Sequence, residues 1–346
     1  MPARVLHLHA SRFCNLTCQH CYSDSGPHHR DALTAETIIS ALPFLRSEGY
    51  EVLSLSGGEP LLYSGFETIV RSASNLGFRI NLITNGAPVG GRLLDLIEEH
   101  VDFVAVSLDG MPELHIELRG NPHAFRWAER AMDRLGARGK RFGIAYGVSR
   151  ESLSGMPWVV NFAQEKGAAL VQFHPFASTG RGQKLGNRLS LRETDKARAY
   201  LIAALLDMGN EPTIQLDIAP VSIAQSRGQD YEILLLEDAT TTPLSSLVNP
   251  LIIDETGLIL PLSYGMNQSL ALGRLESDSG DWITRYKEGE WKKLRSLLEL
   301  SFAALDIRKE NFVDWFFHVV ETSYRLPPDS ERMLSLGVGA LSIERS

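Results

Sequence analysis

Cys14-Asn15-Leu16-Thr17-Cys18-Gln19-His20-Cys21-Tyr22 decides how the rest of the chain is read. The chain has 346 residues and three cysteines, all inside this stretch of nine. Thiolates at C-x3-C-x2-C spacing suit a loop wrapped around a soft metal centre. A cubane iron–sulfur cluster usually takes four cysteines. Three would leave one iron open, and an open position is where a catalytic metal binds substrate or cofactor. Zinc held with His20, His28 or His29, and plain burial of the thiols, are the competing readings. A disulfide is disfavoured by the odd count and by the absence of a secretory context.

Composition bounds the class. The chain is 44% hydrophobic and 22% charged, with a net charge of −8. These values suit a globular protein with a sizeable core and argue against a nucleic-acid binder. No apolar run reaches the length of a membrane span. Met1-Pro2-Ala3-Arg4 leads into a strand without a signal-peptide core, so a reducing cytoplasmic location is expected, with no fused recognition domain before that strand.

Moving outward, strands and helices alternate. Strands are expected at Val5 to Ala10, Glu51 to Leu55, Phe78 to Ile83, Phe103 to Ser107, Arg141 to Val148 and Ala169 to Pro175. Helices follow from Thr34 to about Ser47, Gly65 to Leu76, Leu93 to His100, Ala124 to Leu135, around Leu153 to Lys166, and Leu191 to Met208. This order predicts a parallel sheet with right-handed crossovers, curled into a partial (β/α)6 TIM-like barrel over 1–210. The strand ends would bring six groups to one rim, where such barrels place their chemistry. They are the cysteine loop, Gly57-Gly58-Glu59-Pro60, Thr84-Asn85-Gly86, Ser107-Leu108-Asp109-Gly110, the Tyr146 region and His174. His7 and His9 on the first strand read equally well as interior histidines. The glycine pair is expected to let the backbone approach a ligand.

C-x3-C-x2-C followed by an aromatic, with Gly57-Gly58-Glu59-Pro60 after the second strand, resembles the radical SAM superfamily over about residues 4–210. Thr84-Asn85-Gly86, Ser107-Leu108-Asp109-Gly110 and Arg119-Gly120 resemble its branch of peptide, molybdenum-cofactor and haem maturases. The resemblance implies one [4Fe-4S] cluster on Cys14, Cys18 and Cys21. It further implies that S-adenosylmethionine is cleaved there to a 5′-deoxyadenosyl radical. By the same resemblance Glu59, with Gly57 and Gly58, meets the amino group of S-adenosylmethionine. Asn85, Ser107 and Arg119 help hold its ribose and carboxylate, and Tyr22 lies near the adenine or packs on the cluster loop. A surface salt bridge is the plainer expectation for Arg119.

After residue 210 a smaller α+β extension is expected over 211–346. Asn249 to Leu262 reads as a hairpin turning at Glu255-Thr256-Gly257, and helices containing Trp282, Trp291 and Trp315 follow. This layout resembles the SPASM extension of peptide-modifying relatives, with Leu262 where a cluster cysteine would stand and no cysteine beyond Cys21. Auxiliary clusters on thiolates are thereby excluded, and so is a protein cysteine that quenches a substrate radical. Tyr146, Tyr231 or Tyr264 would be left as hydrogen donors. Trp315-Phe316-Phe317 is expected to be a core seam, and Arg181 of Thr179-Gly180-Arg181-Gly182 either a substrate-carboxylate clamp or solvated. The resemblance implies a peptide substrate, alone or with a separate leader-binding protein, and an electron donor such as flavodoxin or ferredoxin. The alternative is the same chemistry on a tetrapyrrole, nucleotide or sugar. A non-catalytic iron–sulfur or zinc protein is the third reading.

Overall fold

The computed structural model describes residues 3–209, 211–275, 281–307 and 310–325. The part of the C-terminal extension expected beyond 325 lies outside these.

Alternating sequence becomes alternating burial. In β1 (Val5–Leu8) Leu6 and Leu8 are buried against the helices, while Val5 and His7 turn to the lumen. β2 (Val52–Leu55) is buried on both faces, as a central parallel strand of Val and Leu should be. β3 (Arg79–Thr84), β4 (Phe103–Leu108), β5 (Phe142–Val148) and β6 (Leu170–Pro175) follow in spatial order, each parallel to the last. Helices α1 (Ala35–Ser47), α2 (Phe66–Asn75), α3 (Gly91–His100), α4 (Pro112–Arg119), α5 (Ala124–Ala137) and α6 (Met156–Lys166) cover the outside. Thr34 caps α1 through its hydroxyl, which accepts from the Thr37 amide at 3.2 Å. The result is a mixed α/β fold with a partial TIM-like barrel.

The sheet is wider than six strands. β7 (Thr213–Leu216) adds to β6 in parallel, so the helix Glu193–Leu206 is one more crossover and not the end of the series. β8 (Ile218–Pro220) leaves the sheet. β9 (Leu251–Ile253) and β10 (Leu258–Pro261) form the expected hairpin, and β9 pairs in parallel with β1. With β11 (Gly273–Arg274) the order is β11-β10-β9-β1-β2-β3-β4-β5-β6-β7, ten strands continuous across residue 210. Asp254 Oδ1 accepts from the Thr256 and Leu258 amides, and Gly257 at φ +82° closes the hairpin turn. β12 (Phe312–Asp314) pairs with β8 as a separate two-stranded sheet beside the far edge. Among the described residues no helix is long and apolar enough to cross a membrane.

Candidate functional site

The segment 11–26 follows β1 and is pinned from several directions. The second strand's Gly-Gly turn comes first. The Gly58 amide donates to Ser11 O and the Glu59 amide to Phe13 O, each at 2.9 Å. A Cβ on Gly58 would lie 2.1 Å from Phe13 O, and one on Gly57, at φ +105°, 2.9 Å from Ser11 O. The glycines are therefore required by the approach of the chain's own backbone, a constraint the sequence reading did not anticipate.

Glu59 is buried. Its Oε1 accepts from the Thr84 hydroxyl at 2.8 Å and the Leu61 amide at 3.3 Å, and its Oε2 from the Asn85 amide at 2.9 Å. Burial outweighs these donors and pushes its carboxyl up to about 7. With four lone-pair positions and three donors, one position on Oε2 is left for an outside donor. Asn85 Nδ2 donates to Asn15 Oδ1 at 2.9 Å and approaches Cys14 Sγ at 3.8 Å. The second and third strand ends thus hold the first cysteine.

The fourth strand end holds the second and third. Asp109, just past β4, is buried; its Oδ2 accepts from Arg119 Nε at 2.5 Å and its Oδ1 faces His20 Nε2 at 3.2 Å. The Asp109 amide donates to His115 Nδ1 at 3.2 Å. Burial opposes both charges, but each partner prevails on the other: Asp109 is held well below the usual carboxylate range and Arg119 above its ordinary value. Arg119 is thus a buried positioning cation, not a surface bridge. Its charge acts on Cys18 and Cys14, and its two terminal amino groups make no hydrogen bond with the described residues. Ser107 stands half-buried on the lumen face of β4, and its hydroxyl likewise has no partner among the described residues.

The sixth strand contributes a strap that spacing alone did not reveal. After β6 the chain crosses the cysteine loop. Arg181 Nε donates to Cys18 O at 2.8 Å, Nη2 to Ser25 O at 2.6 Å and Nη1 to Asp24 Oδ1 at 2.8 Å, while its amide donates to Cys21 O at 3.0 Å. Gly180 sits at φ +53°, and a Cβ there would lie 2.4 Å from Tyr22 O and 2.5 Å from Cys21 O. Arg181 is therefore neither a substrate clamp nor solvated.

Tyr22 lies edge-on to His9 and to Tyr264, and Tyr264 stacks on His9 at 4.6 Å. Burial, first of all, raises the phenol of Tyr264 and lowers His9 to about 3, so both are neutral, while the ring of Tyr22 keeps an exposed edge. Tyr264 follows the hairpin, so the C-terminal region reaches the cysteine loop. The other two tyrosines do not. Tyr146 is fully buried with its hydroxyl on Ser152 O at 2.9 Å, and the Tyr231 hydroxyl oxygen accepts from Trp315 Nε1 at 2.5 Å. Trp315 stacks on Phe302 in the expected seam, whereas Phe316 is exposed and Phe317 lines a cavity.

The donor set fits a cluster. Burial pushes Cys14 up to about 11 and Cys18 up to about 12, so both are thiols near neutral pH unless a metal takes their charge. The Leu16 amide points at Cys14 Sγ at 3.5 Å and the Ser25 amide at Cys21 Sγ at 3.3 Å, donors that suit thiolate or cluster sulfur. Among the described residues no three His, Cys, Asp or Glu side chains converge on one ion position. His20 is held by Asp109, and His29 lies 3.8 Å from Asp31.

Residues 8–163 match the model of the Radical SAM superfamily. The chain is 28% identical over 190 residues to Fe-coproporphyrin III synthase of Methanosarcina barkeri, covering 54% of this chain and 48% of that protein. It is 28% identical over 176 residues to the sporulation killing factor maturation protein SkfB of Bacillus subtilis, covering 50% and 43%. The chain thus spans about half the length of the curated relatives it matches. In fold it is similar to Streptococcus suis SuiB, whose crystal structure holds S-adenosylmethionine: TM-score 0.65 at 17% identity, over 85% of this chain and 68% of that one.

Proposed function

We propose, from the match of residues 8–163 to the Radical SAM superfamily model, that this chain is a radical SAM enzyme acting on a ribosomally made peptide. Cys14, Cys18 and Cys21 would hold one [4Fe-4S] cluster. When bound, that cluster supplies the electron that cleaves S-adenosylmethionine to a 5′-deoxyadenosyl radical. The chain's own residues then have separate tasks. Glu59 offers its remaining Oε2 position to the amino group of S-adenosylmethionine, which as a cation would draw the carboxyl back to its ionised form. The terminal amino groups of Arg119 offer a guanidinium edge to a carboxylate. Ser107 and Asn85 line the approach from β4 and β3. Gly57 and Gly58 keep the cysteine loop against β2. Tyr22 packs between that loop and Tyr264.

The observation that carries this reading is the cysteine loop held by Glu59, Asp109 and Arg181 from three strand ends. The peptide substrate is supported by SkfB among the relatives and by the hairpin after residue 210. Fe-coproporphyrin III synthase supports the small-molecule alternative. A division of labour at residue 210, a reducing cytoplasmic setting and a flavodoxin- or ferredoxin-type donor belong to the same proposal.

The test is anaerobic reconstitution, then incubation with S-adenosylmethionine, reductant and short peptides encoded beside the gene. A peptide-dependent rise in 5′-deoxyadenosine with a mass change in the peptide is expected. Release that ignores every peptide would transfer the assignment to a small molecule. No release from fully loaded protein would overturn the enzyme reading.

A further inference from the structure

A cavity of about 330 Å³ opens at the C-terminal ends of β6 and β7, away from the cysteines. Its apolar wall comes from Phe176, Leu191, Ile218 and Phe317, and its polar end includes Asp314. Asp314 starts the helix Trp315–Ser323 and accepts the Phe317 amide at 3.1 Å. The strap described above joins the two places. Pro175, Phe176 and Ser178 line the cavity, and Arg181 a few residues on grips the cysteine loop.

The charges around Asp314 do not balance. From β6 comes His174, whose Nδ1 is hydrogen-bonded to Asp217, between β7 and β8. Gln215 lies at 3.4 Å from the same carboxylate, and His7 of β1 faces His174 across the lumen. From the helix Glu193–Leu206 comes Lys196, already held by Glu310 at 3.0 Å and Phe312 O at 3.4 Å. His318, Glu321 and Arg325 complete the lining. Among the described residues the carboxylates Asp217, Glu310, Asp314 and Glu321 share this region with the bases His174, Lys196, His318 and Arg325, and two of the carboxylates are in ion pairs here, Asp217 with His174 and Glu310 with Lys196. His174 and Lys196 also act on Asp314 from a distance, but they are paired with Asp217 and Glu310, and Asp314 makes no ion pair of its own with the described residues. Its energetic signature agrees: burial first, and then the neighbouring Asp217, push it up to about 6.

We propose that this cavity receives an alkylammonium or alkylguanidinium group of the substrate, such as the basic side chain of a peptide, with Asp314 as its counter-ion and the apolar wall holding its aliphatic stem. The size suits one such side chain and its neighbours, and an apolar sleeve ending in a carboxylate that has no ion pair with the described residues is complementary to a long, amphipathic cation. The inference rests on the reading that substrate is bound at this rim of the barrel. It specifies what the substrate must carry.

The test uses the full, cluster-loaded chain without S-adenosylmethionine or reductant, so it reads binding and not turnover. n-Pentylamine, n-butylguanidine, hexanoate and 1-pentanol are titrated by ligand-observed NMR at pH 7.5 and pH 5. The two cations are expected to bind at pH 7.5 and to weaken at pH 5, where Asp314 takes a proton. Asp314→Asn keeps an N-capping side chain and should weaken both cations about tenfold or more, the loss expected for a charged hydrogen bond, with 1-pentanol unchanged. Lys196→Met removes a competing cation and should tighten them. Hexanoate binding better than the amine, or Asp314→Asn binding the amine as the wild type does, would overturn the proposal. Either result leaves the radical reading intact, and absence of 5′-deoxyadenosine in the other assay would leave this one intact.

Discussion

The barrel rim has two unlike halves. Around β1 to β4 the side chains that hold the cysteine loop are paired with one another, Glu59 on Thr84, Leu61 and Asn85, Asn85 on Asn15, Asp109 on Arg119 and His20, with one Glu59 position, the Arg119 terminal amino groups and the Ser107 hydroxyl left open. Around β6, β7 and the helix Trp315–Ser323 a carboxylate faces a cavity with little to balance it. A network of mutually paired charges fixes geometry and is costly to disturb. An unbalanced one waits for something from outside. The first half has the character of a holder for an invariant group, the second that of a reader of a variable one.

The largest way to break this contrast is Asp109→Asn. It leaves Arg119 buried without its partner and should cost about 3–5 kcal/mol in urea unfolding of the full chain, with much of that recovered in the double variant Asp109→Asn/Arg119→Met. An Asp109→Asn protein as stable as the parent would mean that the first half is not held by charge pairing.

Glu59 sharpens the contrast through pH. Its folded carboxyl is raised from 4.5 to about 7, so the folded state favours the proton more than the unfolded chain does. Stability is then highest below about pH 4.5 as far as this group is concerned, and falls as pH rises through about 7, by up to about 3 kcal/mol. In Glu59→Gln that slope should vanish whatever the variant's offset. An unchanged slope would place its origin elsewhere.

The strap comes next. Gly180→Ala puts a methyl against two backbone carbonyls, and Arg181→Met removes the donors to Cys18 O and Ser25 O. Both should lower cluster retention against a chelator about 10–100-fold, the range for residues that orient metal ligands. Retention equal to the parent would make the strap a bystander. In the second half the sign reverses: in urea unfolding Asp314→Asn should leave neutral-pH stability unchanged or raise it, because burial already penalises its charge, and a loss of more than about 1 kcal/mol would break the contrast.

What could be read from sequence follows the same divide. The cysteine loop, Glu59 and Asn85 lie in short contiguous motifs at strand ends, so their meeting on one rim followed from alternation alone. Asp109, His20 and Arg119 belong to three segments, and no local pattern pairs them. A signal for the last existed, since Pro112 opens α4 at its first turn and Gly120 closes it at φ +64°, which aims Arg119 inward. The pairing of β9 with β1, and of β7 with β6, was hidden because edge partners are chosen by tertiary packing and not by periodicity. Tyr146 was misplaced for a simpler reason: on β5 it lies on the helix-facing side of the pleat, one residue out of phase with the lumen.

Arg181 has a practical meaning for anyone who would redirect this protein. The loop after β6 supplies part of the cavity wall, so under the proposed reading of that cavity it is the obvious piece to exchange with a homologue when a different substrate is wanted. The same loop carries the fastener of the cysteine segment. A graft that alters Phe176 or Ser178 while keeping Gly180 and Arg181 in register would change what is recognised. A graft that shifts the register would be scored as lost specificity when the true lesion is an unfastened cysteine loop, and if the proposed cluster binds there, the colour of the purified protein would tell the two apart before any substrate was tried.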